Sequence, residues 1–294
     1  MTLSQIGEYT EENTSRTAQL MGTTVHYHDV GEGEPILFLH SWGPGCTSWL
    51  TWHKILPTFA KQYRCIMMDL PNYAKTGPIV YEVKGSVHWF QAEMAVALMD
   101  HLGIEKAHVI GNSQGGQTAM EFAYLYPDRI NKLVWGDGHL NAGAGSYLIS
   151  NLPEEGIRAG IEYGKDPTPA RMRRFLELNI EDQSLVTDEL VDYCYHMDTD
   201  RQDLTDARNA IQPSKIPYPD NVNECKNIKA PTLIIWGRND RTCTFELGIM
   251  SLNVIPNSRL VVLKDIGHWP PFEAPAEYAA HVLSFLKGYD EVLV

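Results

Sequence analysis

The sequence predicts an α/β protein whose mostly parallel, twisted sheet is flanked by helices and interrupted by an inserted helical segment. Up to about residue 140, short apolar runs alternate with helical patterns, as parallel strands and their crossover helices do. The alternation stops over 141–226, a charged, strand-poor stretch rich in prolines. Two more apolar runs and an amphipathic helix at 275–287 then follow. The economical interpretation is one α/β domain that carries a helical cap.

Length and composition agree with one large domain. The chain has 294 residues, of which 44% are hydrophobic, so a sizeable core can be buried. Single α/β domains with insertions reach this length. We therefore predict a core formed by residues 1–140 and 227–294, with residues 141–226 as the cap between them.

The charge and the cysteines indicate where the protein works. A formal net charge of −13 disfavours nucleic acid and anionic membranes as partners. The five cysteines are odd in number, widely spaced and without a Cys-x-x-Cys pair, which suits free thiols in a reducing compartment. Residues 1–19 lack an apolar signal core, and no run approaches the ~20 apolar residues of a membrane span. We expect a cytoplasmic protein that acts on a small molecule.

Each predicted element has a local signature. The strands are apolar runs bounded by turn residues, at 25–28, 36–39, 65–68, 107–110, 133–135, 232–236 and 260–263. The clearest helix, at 86–102, has apolar residues at spacings of three and four and ends before Gly103.

The most informative stretch is Gly111-Asn112-Ser113-Gln114-Gly115, a G-x-S-x-G pentapeptide between a predicted strand and a predicted helix. In that context the serine stands on a sharp, strained turn that exposes its hydroxyl. The small residues at 111 and 115 let the backbone turn tightly. We interpret Ser113 as a nucleophile, and the alternative is a glycine-rich turn that only closes a β-α unit.

Four loops are predicted to meet beyond the carboxyl ends of the strands, where open parallel sheets bind ligands. They are 40–45, 111–115, 237–241 and 265–269. A serine at this edge needs a base to take its proton.

The partners of the serine are predicted from their positions after strands. His268 lies in a glycine-flanked loop before the last helix and is the predicted base. Asp240 directly follows the strand at 232–236 and is the predicted acid that orients the imidazole. The chain order serine, aspartate, histidine is the one known for this kind of strand–turn–helix serine. The alternatives are His139 or His196 as base and Asp137 as acid.

The oxyanion of an acyl-transfer intermediate needs N–H donors aimed at it. The glycine-rich loop 40–45 can present backbone amides. We predict that the N–H groups of Trp42 and Gln114 are the two donors, and that His40 braces the loop. Six aromatic residues are candidates for the pocket lining, with ordinary core packing as the alternative for each: Trp42, Trp49, Trp52, Trp89, Trp269 and Tyr147.

With these residues identified, the chain from about 20 to 288 resembles the α/β-hydrolase fold. More narrowly it resembles the meta-cleavage-product hydrolases, which break carbon–carbon bonds in aromatic degradation. The resemblance rests on the motifs at 41–45, 69–71, 111–116, 236–240 and 267–269. It implies a hydrolase of 2-hydroxy-6-oxo-dienoates that needs no cofactor and no metal, with Gly43, Asn112 and Trp269 in contact with substrate. It also suggests a homodimer.

The sequence departs from this family where the substrate's acid group is expected. The resemblance implies an asparagine and a cap arginine, and this chain has Thr51 and Cys194 at those positions. A thiol cannot replace a charge-assisted pair to a carboxylate, worth about 1.5–3 kcal/mol. Either another arginine serves, or the substrate lacks that carboxylate and the same triad cleaves an ester or lactone. The other candidate arginines are Arg158, Arg171, Arg174, Arg201 and Arg208.

A third hypothesis is a non-catalytic binding protein on a hydrolase scaffold. The intact serine, histidine and aspartate disfavour it. No cluster of His, Cys and Asp has the spacing of metal ligands, so a metal enzyme has little support.

Overall fold

The computed structural model of the chain describes residues 3–140, 155–212 and 221–288. Its strands are β1 (Gln5–Ile6), β2 (Tyr9–Thr10), β3 (Ser15–Leu20), β4 (Thr23–Val30), β5 (Glu34–Leu39), β6 (Tyr63–Met68), β7 (Ala107–Asn112), β8 (Ile130–Gly136), β9 (Thr232–Gly237) and β10 (Ser258–Leu263). β1 and β2 form a small antiparallel pair. The other eight form one sheet in the order β10-β9-β8-β7-β5-β6-β4-β3.

The helices flank this sheet or follow its strands. They are α1 (Ser48–Trp52), α2 (Leu56–Phe59), α3 (Val87–His101), α4 (Gln114–Leu125), α5 (Glu155–Lys165), α6 (Pro169–Asn179), α7 (Asp188–Thr199), α8 (Gln202–Ala210), α9 (Asn221–Cys225), α10 (Glu246–Val254), α11 (Pro270–Glu273) and α12 (Pro275–Lys287). One 3₁₀ turn, Gln183–Leu185, lies between α6 and α7.

The sheet is parallel from β10 to β6, and β4 and β3 continue it in antiparallel fashion. Its central strands are covered on both faces. In β5, Ile36 and Phe38 face one hydrophobic cluster, whereas Leu37 and Leu39 face the other. A strand buried on both faces has no polar side, which explains why the sequence shows a continuous apolar run there.

The helices α5 to α8 form a separate layer over the carboxyl ends of the strands. α5 packs on α6, and α6 on α7, around a third hydrophobic cluster that contains Phe175 and Leu190. Cys46 and Trp269, from loops of the core, belong to the same cluster. The layer therefore rests on the loops that were predicted to carry the site. α9, also within 141–226, packs instead on α4 and α10.

The end of α6 is hydrogen-bonded to two of those loops. The backbone N–H of His268 donates to the Asn179 carbonyl oxygen at 2.7 Å. The Thr242 hydroxyl donates to Oδ1 of Asn179 at 2.8 Å. Next to it, the Glu181 carboxylate accepts from Nδ2 of Asn239 at 2.8 Å and pairs with Arg241. These bonds fix the loops after β9 and β10 against the end of α6.

All five cysteines are buried, and none forms a disulfide. Burial raises the pKa of the Cys46, Cys65 and Cys194 thiols. Among the described helices, none is both long and apolar enough to cross a membrane.

The predicted fold class is confirmed. All seven predicted strands are present, and so are the helices predicted at 86–102 and 275–287, observed as α3 and α12. The sequence patterns did not reveal β3, at the edge of the sheet. The division into core and cap at 141 and 226 stays a prediction.

Candidate active site

Ser113 lies at the turn between β7 and α4. Its backbone has φ 55° and ψ −118°, a conformation that is strained for a residue with a Cβ. Such a turn needs close backbone approach on both sides. A Cβ on Gly111 would lie 2.1 Å from the Gly115 carbonyl oxygen, and one on Gly115 would lie 2.1 Å from that of Leu39. Steric exclusion of a Cβ therefore explains why positions 111 and 115 of the pentapeptide are both glycine.

The structure brings the three predicted triad residues together. Nε2 of His268 lies 2.8 Å from Oγ of Ser113, and Nδ1 of His268 lies 2.7 Å from Oδ2 of Asp240. All three side chains are buried. A serine, an imidazole and a carboxylate in this line can move a proton from the hydroxyl to the ring.

Asp240 is fixed by its own loop as well as by the histidine. Its Oδ1 accepts hydrogen bonds from the backbone N–H groups of Thr242 at 2.7 Å and Cys243 at 2.9 Å. This leaves Oδ2 aimed at His268. The carboxylate cannot rotate without losing those bonds, so the imidazole is held in one orientation.

The rival acid, Asp137, has different partners. Its Oδ1 accepts from the Gly237 N–H at 3.1 Å, and its Oδ2 accepts from Nδ2 of Asn112 at 2.8 Å. Burial raises its pKa well above the usual range, and the charge of Asp240 raises it further. Both causes favour the protonated form of a buried carboxyl group. The geometry therefore assigns the contact with His268 to Asp240.

Asn112 connects three parts of the site. Its Oδ1 accepts from the Ser41 hydroxyl at 2.7 Å, and its Nδ2 also reaches the His268 carbonyl oxygen at 3.3 Å. With the bond to Asp137, the Asn112 side chain joins the loop after β5 to the loops after β8 and β10.

The residues of the two predicted oxyanion donors, Trp42 and Gln114, line the same cavity as Ser113. Gln114 is the first residue of α4, so its N–H has no partner within the helix. In the described part of the chain, neither that N–H nor the Trp42 N–H donates to another protein group. His40 braces the loop, because its Nδ1 bonds the Ser41 carbonyl oxygen and its Nε2 accepts from the Leu70 N–H.

A cavity of about 550 Å³ opens at Ser113. Its described lining is largely apolar, with a few polar groups: Trp42, Val87, His88, Ser113, Gln114, Gln117, His139, Leu140, Ile157 and Cys243. Burial lowers the pKa of His88 to about 4 and also lowers that of His139. Both imidazoles are therefore neutral at neutral pH.

A second lobe of about 440 Å³ adjoins this cavity. It shares Trp42, Val87 and Gln114 with the first lobe. Its other described lining residues are Pro71, Tyr73, Tyr81, Val83, Gly85, Gln91, Arg208, Ile211 and Gln212. We call the two parts the serine lobe and the arginine lobe.

The structure does not bring the five predicted substrate-binding residues to the cavity wall. None of them is among the described residues that line either lobe: Gly43, Thr51, Asn112, Cys194 and Trp269. All five are also buried, and Gly43 lies against the Phe175 ring. Of the six predicted aromatic lining residues, only Trp42 lines these two lobes; Trp49, Trp52 and Trp269 are buried in hydrophobic clusters. Tyr147 lies outside the described residues.

Several lining residues were missed by the sequence patterns. Gln117 lies four residues after Ser113 in α4 and so shares its face. Cys243 lies three residues after Asp240, whereas His139, which follows β8 at the same sheet edge, was considered only as an alternative base. These positions relative to the predicted site could have identified them. Nothing local distinguishes Val87 or Ile157.

Three buried side chains could also be arranged around a metal ion. The ligand atoms of Asp137, Asp240 and His268 lie within 4.8 Å of one another. The spacing of these residues in the sequence gave no sign of it. Hydrogen bonds already account for the cluster, because Asp240 bonds His268 while Asp137 bonds Asn112 and Gly237.

Comparison with known proteins agrees with this geometry. Residues 34–275 match the model of the alpha/beta hydrolase fold family. A 2-hydroxy-6-oxononadienedioate/2-hydroxy-6-oxononatrienedioate hydrolase from Burkholderia vietnamiensis (strain G4 / LMG 22486) is 35% identical, over 95% of this chain and 98% of its own. A 2-hydroxy-6-oxo-6-phenylhexa-2,4-dienoate hydrolase from Comamonas testosteroni is 32% identical, over 95% of this chain and 99% of its own.

Solved structures point the same way. One similar structure is that of the meta-cleavage product hydrolase CumD, from Pseudomonas fluorescens IP01, in a mutant form with one substitution. It matches this chain with a TM-score of 0.80 and a sequence identity of 27%. The match covers 93% of this chain and 98% of that one. The chain therefore belongs to the alpha/beta hydrolase fold family. Within that family it is a member of the meta-cleavage product hydrolases.

Proposed function

We propose that this chain hydrolyses a carbon–carbon bond in a 2-hydroxy-6-oxo-dienoate, a ring-cleavage product of an aromatic compound, without a cofactor. The observation that carries the proposal is the alignment of Ser113, His268 and Asp240 at the wall of a cavity. It occurs in a chain about one third identical, over 95% of its length, to hydrolases of such acids.

The chemistry requires the dienol to become its keto tautomer first, because that form makes the departing carbon a stabilised carbanion equivalent. Ser113 then attacks the remote ketone while His268 takes its proton. The N–H groups of Trp42 and Gln114 receive the oxyanion. The carbon–carbon bond breaks, and the departing carbon takes its electron pair and the proton from His268. Water hydrolyses the acyl-serine, so that the products are a carboxylic acid and a dienoic acid.

The test is loss of the yellow dienol absorbance with 2-hydroxy-6-oxononadienedioate, compared with hydrolysis of a nitrophenyl ester. We expect turnover of the dienol by the unmodified protein. The Ser113→Ala variant should lose at least about 10³-fold in kcat, because the triad acts as a unit, while its melting temperature changes little. Turnover of the ester at least a thousandfold faster by kcat/KM would instead favour a carboxylesterase or lactonase.

We also propose that residues 141–226 act as a cap, and that the protein is cytoplasmic and forms a homodimer. Five buried free thiols support a reducing compartment. The dimer is supported only by the resemblance to the family. Light scattering on the purified protein measures the mass directly, and a monomer at micromolar concentration would contradict the dimer.

A further inference from the structure

We propose that Arg208 binds a carboxylate of the substrate in the arginine lobe, next to the lobe that contains Ser113. This inference rests on the proposed function, since it names the group that holds the acid end of a dienoate. It addresses the departure of this chain from its family at Cys194.

Position 194 is closed to substrate by packing. The Cys194 side chain is fully buried in the cap cluster together with Cys46 and Phe175. Its backbone lies directly against the loop after β5, because a Cβ on Gly45 would come within 2.2 Å of the Cys194 carbonyl oxygen. A carboxylate has no room there and no cation to meet.

Among the five candidate arginines, Arg208 alone lines the cavity. Arg158, Arg171 and Arg174 are exposed on the cap. Arg201 holds both oxygens of Asp203, at 2.8 and 2.7 Å, so its guanidinium is already engaged in two parallel bonds. Arg208 is therefore the candidate that a ligand in the cavity can reach.

Arg208 is held in place by neutral groups as well as by one acid. Its guanidinium donates to the Asn72 carbonyl oxygen and to the Thr205 hydroxyl, and it lies over the Tyr73 ring at 5.0 Å. Its contact with Asp198 is a single one, at 3.3 Å. These described partners use three of the five N–H donors of a guanidinium. A guanidinium group fixed in this way loses little conformational entropy when it binds a carboxylate.

The rest of the arginine lobe suits an acid group. Its described lining contains amides and phenol rings, including Gln91, Gln212 and Tyr81, and Arg208 is the one charged side chain among them. No described carboxylate on the wall would repel the ligand. The lobe shares Trp42 and Gln114 with the serine lobe, so the two lobes are neighbours, and the inference requires one substrate to extend across both.

The experiment compares Arg208→Gln and Arg208→Lys with the unmodified protein. The substrates are the diacid 2-hydroxy-6-oxononadienedioate, the monoacid 2-hydroxy-6-oxo-6-phenylhexa-2,4-dienoate, and nitrophenyl acetate, which has no carboxylate. We expect Arg208→Gln to lower kcat/KM for a dienoate, relative to the acetate, by about 10- to 100-fold, mainly through KM. Arg208→Lys should recover part of the loss. Arg201→Gln, on the same side of the cap but off the cavity, is the matched control and should leave the ratio unchanged.

A lower relative kcat/KM with both acids would mean that Arg208 binds the carboxylate beside the dienol. A lower relative kcat/KM with the diacid alone would mean that it binds the distal carboxylate. An unchanged ratio with both acids would overturn the inference. The dissociation constants of the two acids can also be measured with and without the Arg208 substitution in protein that carries Ser113→Ala. This measurement tests the inference independently of catalysis. If the unmodified protein binds dienoates through Arg208 but does not cleave them, the proposed function fails while the inference stands.

Discussion

Asp137 and Asp240 both follow a strand at the same edge of the sheet, and only their contacts separate them. Asp240 reaches Nδ1 of His268, whereas Asp137 is tied to Asn112 and Gly237. Burial, and then the charge of Asp240, raise the pKa of Asp137. Two side chains of the same type thus have different roles because they have different hydrogen-bond partners.

This difference predicts opposite outcomes for the same substitution. Asp240→Asn should lower kcat by about 10³- to 10⁴-fold, because the amide favours the wrong imidazole tautomer. Asp137→Asn keeps the shape of the side chain and replaces one of its two acceptor oxygens with an N–H donor. It should keep kcat within about tenfold and cost about 1–3 kcal/mol of stability through its altered hydrogen bonds. Steady-state kinetics and urea unfolding of both variants measure this, and the reverse order of kcat would make Asp137 the triad acid.

The sequence was sufficient to predict which three residues form the triad, because each occupies a loop after a predicted strand. It was not sufficient to predict whether the side chains of Thr51 and Cys194 face the cavity. Their positions were inferred from the family, but whether a side chain faces a cavity depends on how α7 packs on the loop after β5. That packing involves residues about 150 positions apart and leaves no local pattern.

At the scale of single elements, strands could be predicted from apolar runs where both of their faces are buried, as in β5 and β9. The edge strand β3 was missed because it is mostly exposed and polar, with Ala18 as its one buried residue. It pairs with β4 through the backbone, which the side-chain pattern does not record.

The turn between β7 and α4 tolerates no side chain at Gly115. In Gly115→Ala, the new Cβ would meet the backbone of Leu39, which cannot move without displacing the oxyanion loop. We expect a loss of about 3 kcal/mol or more and a lower kcat. Gly164→Ala is the matched control, because no atom lies within 4 Å of its Cβ position near the end of α5, and it should gain about 0.5–1 kcal/mol. Equal unfolding midpoints for the two variants would contradict the steric argument.

For the molecule as a whole, buried histidines connect stability to pH. Burial lowers the pKa of His28 to about 3 and that of His53 to about 4. The unfolded chain therefore binds protons, between about pH 6.5 and pH 4, that the folded chain does not bind. Each such histidine lowers stability as the pH falls through that window. Asp137 acts in the opposite direction, because its pKa is raised in the fold.

A single variant isolates one of these contributions. His53→Gln keeps a donor for the Trp49 carbonyl oxygen that Nδ1 of His53 contacts but cannot take up the proton. Its free energy of unfolding, relative to the unmodified protein, should rise by about 1.4 kcal/mol for each pH unit from about 6.5 down to 4. Urea titrations at several pH values measure the difference. A difference that does not change with pH would mean that His53 is protonated equally in the folded and unfolded chains.

The hydrogen bonds from the end of α6 to the loops of His268 and Thr242 bear on how members of this family can be recombined. If the helices α5 to α8 were exchanged for those of a relative, the exchange would also replace one of the supports of the histidine. Exchanges that retain Asn179 and Glu181 with the host preserve that support, whereas exchanges cut before α6 remove it. These helices therefore help to hold the reaction centre in place.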